Sequence, residues 1–199
     1  MFVVDAVSSF SAVKIEPDKL GIDVLLTGAQ KAMALPPGLA LFTVSERAMK
    51  KAASVTSRGY YFDFLEFQKN HEKNQTPSTP SIGHFYALRQ KLDEIFAIGL
   101  PVRFARHKKM AELTRAWVKR NGFEMFPRPG YESVTLSCVR NTRGVDVPRL
   151  IETLRKRHSV LIDGGYGRLK GKTFRIAHMG DETTRTVGQL LAQIEECLE

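Results

Sequence analysis

Apolar runs broken by glycine and proline set the pattern of the first part of the chain. Phe2-Val3-Val4 is a short β-branched run that ends in Asp5. Gly21–Leu26 and Leu39–Val44 are two more, the second introduced by the turn Pro36-Pro37-Gly38. Continuous apolar runs of this length between turn residues predict buried strands. Ser45 then predicts the N-cap of a helix over Glu46–Ala53. Ser54–Gln75 is aromatic-rich without a clear period and reads as irregular. Thr76-Pro77-Ser78-Thr79-Pro80 reads as a rigid loop before a helix from Ile82 to Ile98.

The turn Gly99-Leu100-Pro101 marks a boundary. Past it, an amphipathic pattern predicts a helix as far as Asn121, stopped by Gly122. A strand is expected near Ser133–Val139 and a helix over Val147–His158. Two short strands follow at Val160–Ile162 and Thr173–Ala177, then a last helix over Thr183–Leu198. Helices alternating with strands argue an α/β fold, organised as two regions, 1–100 and 101–199.

At 199 residues with 43% hydrophobic residues, the chain can bury a core, which excludes disorder over most of its length. Lys and Arg outnumber Asp and Glu by 30 to 21, a net charge of +9. That balance favours anionic partners in general: nucleic acid, membrane surfaces or phosphorylated small molecules. Eight of the basic residues stand against two acids between Pro101 and Arg128. Arg103, Arg106, Lys109, Lys119 and Arg120 are expected on an exposed helix face, with Phe104, Leu113 and Trp117 towards the core. No nucleic-acid motif or aromatic stacking platform accompanies them, so a solvated face is the reading and no nucleic-acid partner is expected.

Two cysteines, Cys138 and Cys197, are too few for a disulfide framework and suit a reducing, cytoplasmic setting. The start, MFVVDAVSSF, lacks the basic segment of a signal peptide. No run approaches the roughly 20 apolar residues of a spanning helix, so no membrane partner is expected. His107, His158 and His178 lack metal-ligand spacing, and no metal is expected. His178, three residues after Arg175, is a candidate neighbour of a substrate. The aromatic run Tyr60-Tyr61-Phe62-Asp63-Phe64 reads as core or subunit interface.

Three positions carry the candidate chemistry. Asp5 ends one buried strand, Lys31 follows another in TGAQK, and Arg175 sits in FRIAHMG. Ligands of open α/β sheets bind outside the carboxyl ends of the strands, which would bring Asp5 and Lys31 to one crevice. An acid and an amine in such a place suit pyridoxal 5'-phosphate: the amine forms a Schiff base with the aldehyde, and the carboxylate pairs with the protonated ring nitrogen. An arginine suits a substrate carboxylate because its planar fork binds two oxygens.

VVDAVSSF, then GIDVLLTGAQKAMALPPGLALF with Lys31 26 positions after Asp5, then QTPSTPSIGHFYALRQKL and GGYGRLKGKTFRIAHMGD, form a spaced set over nearly the whole chain. It resembles the class V, fold-type I aminotransferases, in pattern nearest to those acting between alanine and glyoxylate or serine and pyruvate. The resemblance implies the C-terminal part of a cofactor-binding large domain with a mostly parallel sheet, followed by a small α/β domain with an antiparallel sheet. It implies Lys31 as the Schiff-base lysine and proton carrier, Asp5 on the ring nitrogen and Val7 on a ring face. Gln30 would lie beside the phosphate, with Thr79 and Thr76 reaching the phosphate of a neighbouring subunit. Arg175 would hold the substrate carboxylate. Some family members carry a tyrosine near the Thr76 position.

The resemblance also places about half of the large domain, with a phosphate loop and a stacking aromatic, ahead of the Asp5 position, so a homodimer or a separate N-terminal half is an expected partner. Substrates would be a small amino acid and a 2-oxo acid. Alternatives are the same cofactor acting on 2-aminoethylphosphonate or phosphoserine, and a non-catalytic fragment serving as a dimerisation or interaction module. The cysteine desulfurase branch fits less well, because it usually has a histidine where Gln30 stands.

Overall fold

The computed structural model describes residues 1–198. Their contacts divide into two units, one of Met1–Phe10 with Lys14–Glu94, the other of Ser11–Val13 with the chain from Ile95 onward.

The first unit is built on a three-stranded sheet, β1 (Val3–Asp5), β2 (Val24–Gly28) and β3 (Ala40–Val44), in that order. β1 pairs parallel with β2, setting Asp5 opposite Leu26, whereas β3 returns antiparallel along β2. The sheet is thus mixed. β1 and β2 are joined through a one-turn helix, α1 (Pro17–Leu20), closed by Gly21 at φ 65°, which glycine adopts at little steric cost. Ala6, Ile22 and Leu25 form the small core, with Val4, Phe10 and Ile15 packed on it.

Helix α2 (Glu46–Ala53) starts where the sequence predicts it, with Ser45 Oγ accepting the Ala48 N–H at 3.1 Å. The segment read as irregular contains a helix, α3 (Phe64–His71). Asp63 caps it through the Leu65 N–H at 3.0 Å, and Phe42 of β3 meets Phe64 and Phe67 at ring distances of 5.6 and 5.1 Å. The local aromatic spacing hid a helix that tertiary packing supports. Tyr60, Tyr61 and Phe62 stay exposed, so they are not core residues of this chain. Helix α4 spans Ile82–Ile98.

In the second unit a four-stranded antiparallel sheet of order β4-β5-β7-β6 packs against helices α5 (Leu100–Arg120), α6 (Val147–His158) and α7 (Thr184–Leu198). The strands are β4 (Glu124–Met125), β5 (Leu136–Arg140), β6 (Asp163–Gly164) and β7 (Thr173–Ala177). The strand expected over Val160–Ile162 lies instead at β6. Ser159, at φ 55°, turns the chain out of α6, Ile162 goes into the core, and only then do Asp163 and Gly164 reach register with Arg175 and Phe174.

The basic face expected on α5 needs correction. Arg103 is buried, its Nε donating to Ser11 O at 3.2 Å and its Nη1 lying 3.6 Å from Asp181 Oδ1. Arg106 Nη2 donates to Gly180 O at 2.8 Å. Two of the five arginines and lysines assigned to solvent therefore hold backbone carbonyls inside the unit. Among the described residues no helix is long and apolar enough to cross a membrane.

Candidate active site

The parallel pairing of β1 with β2 brings their carboxyl ends out at one edge of the sheet. Asp5 is the last residue of β1. Ala6 extends the ladder by one bond to Leu26 O at 2.8 Å, and the chain then bends, with the Ser9 and Phe10 amides both donating to Ala6 O. Asp5 Oδ1 accepts the Val7 N–H at 2.9 Å, which holds the exposed carboxylate at the strand end. Among the described residues no cation pairs with it.

β2 ends at Gly28, and Lys31 follows in a closed turn. Ala29 N–H donates to Leu39 O, Leu35 N–H to Ala29 O, and Ala34 N–H to Lys31 O at 2.9 Å. Ala29, Ala32 and Met33 are buried, anchoring the turn on both sides of the half-buried Lys31. Ala34 sits at φ 57°, a left-handed conformation costly for a residue with a Cβ. Among the described residues the Lys31 ammonium has neither an ion pair nor a hydrogen bond. The Gln30 side chain folds over Gly28, where an added Cβ would come within 2.5 Å of its Oε1. Asp5, Val7, Gln30 and Lys31 thus all belong to the carboxyl-end side of one parallel strand pair.

The same strand pair holds a second acid, Asp23, that sequence reading passed over. It is 2% exposed and fully engaged. Its Oδ2 accepts the Phe2 N–H at 2.7 Å and Arg47 Nη2 at 2.6 Å, and its Oδ1 accepts Arg47 Nε at 2.7 Å and Ser45 Oγ at 2.9 Å. Hydrogen bonds from Arg47, then from the Phe2 amide, hold its carboxyl well below the usual carboxylate range. An acid inside the apolar run GIDVLL was the available signal, since a buried charge needs partners. Asp23 fastens β1, β2 and the start of α2. Asp5, with one backbone bond, keeps its remaining hydrogen-bonding capacity.

Thr76 and Thr79 stand exposed on the loop before α4. Thr76 Oγ1 already donates to Ser78 O at 2.6 Å, and Tyr60 Oη donates to Pro77 O at 3.1 Å. The loop rims an open depression of about 1020 Å³ shared with Phe85, Tyr86 and Arg89. His84, also passed over, ties α4 to the Pro-Pro-Gly turn: its Nε2 lies 3.1 Å from Pro37 O and its Nδ1 2.8 Å from Ser81 Oγ. A carbonyl only accepts, so Nε2 carries the proton and Nδ1 takes the Ser81 hydroxyl.

Arg175 belongs to the second unit, on β7 between Cys138 of β5 and Asp163 of β6. Its Nε donates to Gly164 O at 3.0 Å, and its guanidinium carbon stands 3.9 Å from the centre of the Tyr166 ring. Nη2 lies 2.9 Å from Asp163 Oδ2 but off the hydrogen-bond direction, leaving a buried donor without a hydrogen bond. His178 is fully buried, with Nδ1 3.1 Å from Val134 O and Nε2 2.9 Å from Ser137 Oγ, and burial above all pushes its pKa down to about 4. Cys138 is half-buried, and burial raises its thiol pKa.

The chain matches the model of the family "Aminotransferase class-V" over residues 1–167. An uncharacterized aminotransferase of Methanocaldococcus jannaschii is 37% identical over 100% of this chain and 52% of its own length. The serine–glyoxylate aminotransferase of Arabidopsis thaliana is 32% identical over 100% of this chain and 50% of its own. The structure of an alanine–glyoxylate aminotransferase from Nostoc sp. superposes with a TM-score of 0.92 at 30% identity, over 99% of this chain and 53% of that one. The chain spans about half the length of the relatives it matches. Its strand-end acid, its turn lysine and its β-sheet arginine all lie in a chain whose fold is that of fold-type I aminotransferases, and the chain belongs to the aminotransferase class-V family.

Proposed function

We propose that this chain serves a pyridoxal-phosphate-dependent aminotransferase that moves an amino group between a small amino acid, of the alanine or serine type, and a 2-oxo acid such as glyoxylate or pyruvate. The observation that carries the reading is the pair Asp5 and Lys31 at the carboxyl ends of paired parallel strands, both without an opposite charge among the described residues. Asp23, in the same sheet, shows what a purely structural acid looks like here: four bonds and an arginine. Asp5 and Lys31 are the reverse, and their chemistry suits a ligand with a cationic ring nitrogen and an aldehyde.

When bound, the cofactor supplies a carbonyl that condenses with amines and a ring that accepts electrons from the substrate Cα. Lys31 would hold it by its Nζ and, once released, carry a proton on that same atom. Asp5 would keep a proton on the ring nitrogen through charge pairing, with the Val7 amide fixing the carboxylate. The half-buried Val7 side chain would pack on a ring face. Gln30 and Thr79 are neutral donors suited to phosphate oxygens, Thr79 towards a second subunit. Thr76 is the weaker candidate, because its hydroxyl proton already goes to Ser78 O. Arg175 would take the substrate carboxylate through its planar fork. A second copy of the chain, and a reducing cytoplasmic setting that suits the free Cys138 and Cys197, complete the reading.

The test is reductive trapping. Pyridoxal phosphate is added to the pure chain, the visible absorption band recorded, and the mixture reduced with borohydride and mapped by peptide mass. The expected result is one adduct, on Lys31, absent in Lys31→Ala. A folded chain with no band, or with adducts spread over surface lysines, overturns the proposal.

A further inference from the structure

The loop that carries Lys31 is closed at its base by the backbone, with Ala29 N–H donating to Leu39 O at 3.0 Å and Leu35 N–H to Ala29 O at 3.1 Å. Its far end is Pro36-Pro37-Gly38, where the two prolines bring no N–H for a further backbone bond. There a side chain from outside the loop takes over. His84, in the first turn of α4, donates from Nε2 to Pro37 O at 3.1 Å. Its ring also lies against Gly38, where an added Cβ would stand 2.7 Å from both Cε1 and Nε2, so only glycine allows this approach. Ser81 Oγ, 2.8 Å from Nδ1, fixes the tautomer. In α4 only Ile95 is buried, so polar contacts rather than apolar packing seat the start of the helix.

Resting on the roles proposed for Lys31 and Thr79, we infer that His84 is a positioning residue that clamps the Lys31 loop to the Thr76–Pro80 loop. Its two ring nitrogens work in opposite senses. Nε2–H holds Pro37 of the Lys31 loop, and Nδ1 holds Ser81, two residues after Thr79. Tyr60 Oη, donating to Pro77 O at 3.1 Å, ties the second loop down at another point. Among the described residues His84 has no hydrogen bond to Lys31 or Thr79, so it acts through the loops that carry them. Without the clamp each loop keeps its own backbone bonds, and the spacing between the amine and the Thr79 hydroxyl is no longer set.

The test separates the two bonds of the ring. Glutamine can place its amide nitrogen near the position of Nε2, and asparagine near that of Nδ1, so His84→Gln retains a donor for Pro37 O and His84→Asn loses it. Amide exchange of the pure chain is followed at Ala34 and Leu35 in the Lys31 loop and along β2. In His84→Asn the two loop amides should exchange about fivefold faster, as the loss of one hydrogen bond predicts, with β2 unchanged; His84→Gln should restore them. Trapping of pyridoxal phosphate on Lys31 by borohydride should slow by a similar factor in His84→Asn and recover in His84→Gln. Loop protection unaltered in His84→Asn, or lost equally along β2, overturns the inference, and so does a faster-exchanging loop whose Lys31 adduct forms at the original rate. An unsubstituted chain that gives no Lys31 adduct fails the aminotransferase reading instead, and the exchange comparison still decides the clamp.

Discussion

The two units carry different loads. In the second, fourteen buried apolar residues join one core around Trp117, Phe123 and Phe174. In the first, the buried core cluster under the sheet is Ala6, Ile22 and Leu25. Charge divides just as unevenly: from Ile95 onward Lys and Arg outnumber Asp and Glu by eight, before it by one. The candidate cofactor groups stand in the unit with the thin core, and the one candidate carboxylate binder in the unit with the thick one. The basic excess is partly architecture, since Arg103 and Arg106 hold Ser11 O and Gly180 O and are not free to meet an anionic partner. Reactive groups left unsatisfied detract from stability, and here they lie where packing contributes least.

The largest expected effect breaks or upholds that division. Phe174 is fully buried and meets Phe123 edge-on at 5.2 Å. Phe174→Ala should cost about 3–5 kcal/mol, read by denaturant unfolding. Hydrogen exchange should show the loss in α5, α6, α7 and their sheet, while the β1–β2 amides keep their protection. An equal loss of protection in both units would break the comparison.

Acid should separate the units next. His178 is held neutral by burial, with a folded pKa near 4 against an ordinary 6.5. The unfolded chain therefore binds a proton at higher pH than the folded one. Stability from this group is full above pH 6.5 and drains as pH falls from there towards 4, by up to about 3 kcal/mol. Asp23 is also shifted down, but in an acid that favours the charged form: its folded pKa lies below the ordinary 3.8, so its contribution persists at pH 5 and is lost only at lower pH. Lowering the pH from 7 to 5 should thus weaken the second unit and spare the β1–β2 anchor. In His178→Gln, the pH dependence of unfolding over that range should flatten. A slope unchanged by the substitution would mean that His178 is not the group responsible.

Much of this was legible beforehand, and what was not shares a cause. Helix α2 could be placed because Ser45 caps it locally, and α6 spans the Val147–His158 expected for it. The positions of Asp5 and Lys31 followed from strand ends and turn residues, which are local signals. Misreadings arose where partners distant in sequence decide the outcome. Helix α3 depends on Phe42, β6 on its register with β7, and the burial of Arg103 on Ser11 and Asp181. Asp23, just before β2, went unread because its partners Ser45 and Arg47 lie more than twenty residues on in sequence. Asp163 and Tyr166 could not be joined to Arg175 from spacing alone, since only the β6–β7 register brings Asp163 opposite it.

The smallest effect concerns strain in the thin unit. Ala34 holds φ 57° in the turn that carries Lys31, closed by its own N–H to Lys31 O at 2.9 Å. A Cβ in that conformation meets the neighbouring carbonyl, a cost of about 1 kcal/mol that glycine avoids. Glycine gives part of this back through the freedom it adds to the unfolded chain. Ala34→Gly should therefore raise stability, by up to about 1 kcal/mol, and Ala34→Val, with its branched Cβ, should lower it by a similar amount or more. Both variants keep the Lys31 side chain, so reductive trapping reports the turn independently of the unfolding curve. If strain in the turn serves to hold the amine in place, Ala34→Gly will be the more stable protein and the slower to form the Lys31 adduct. If stability and trapping rate rise together, the strained alanine contributes nothing to the site, and the contrast between a well-packed unit and a reactive one rests on core size alone.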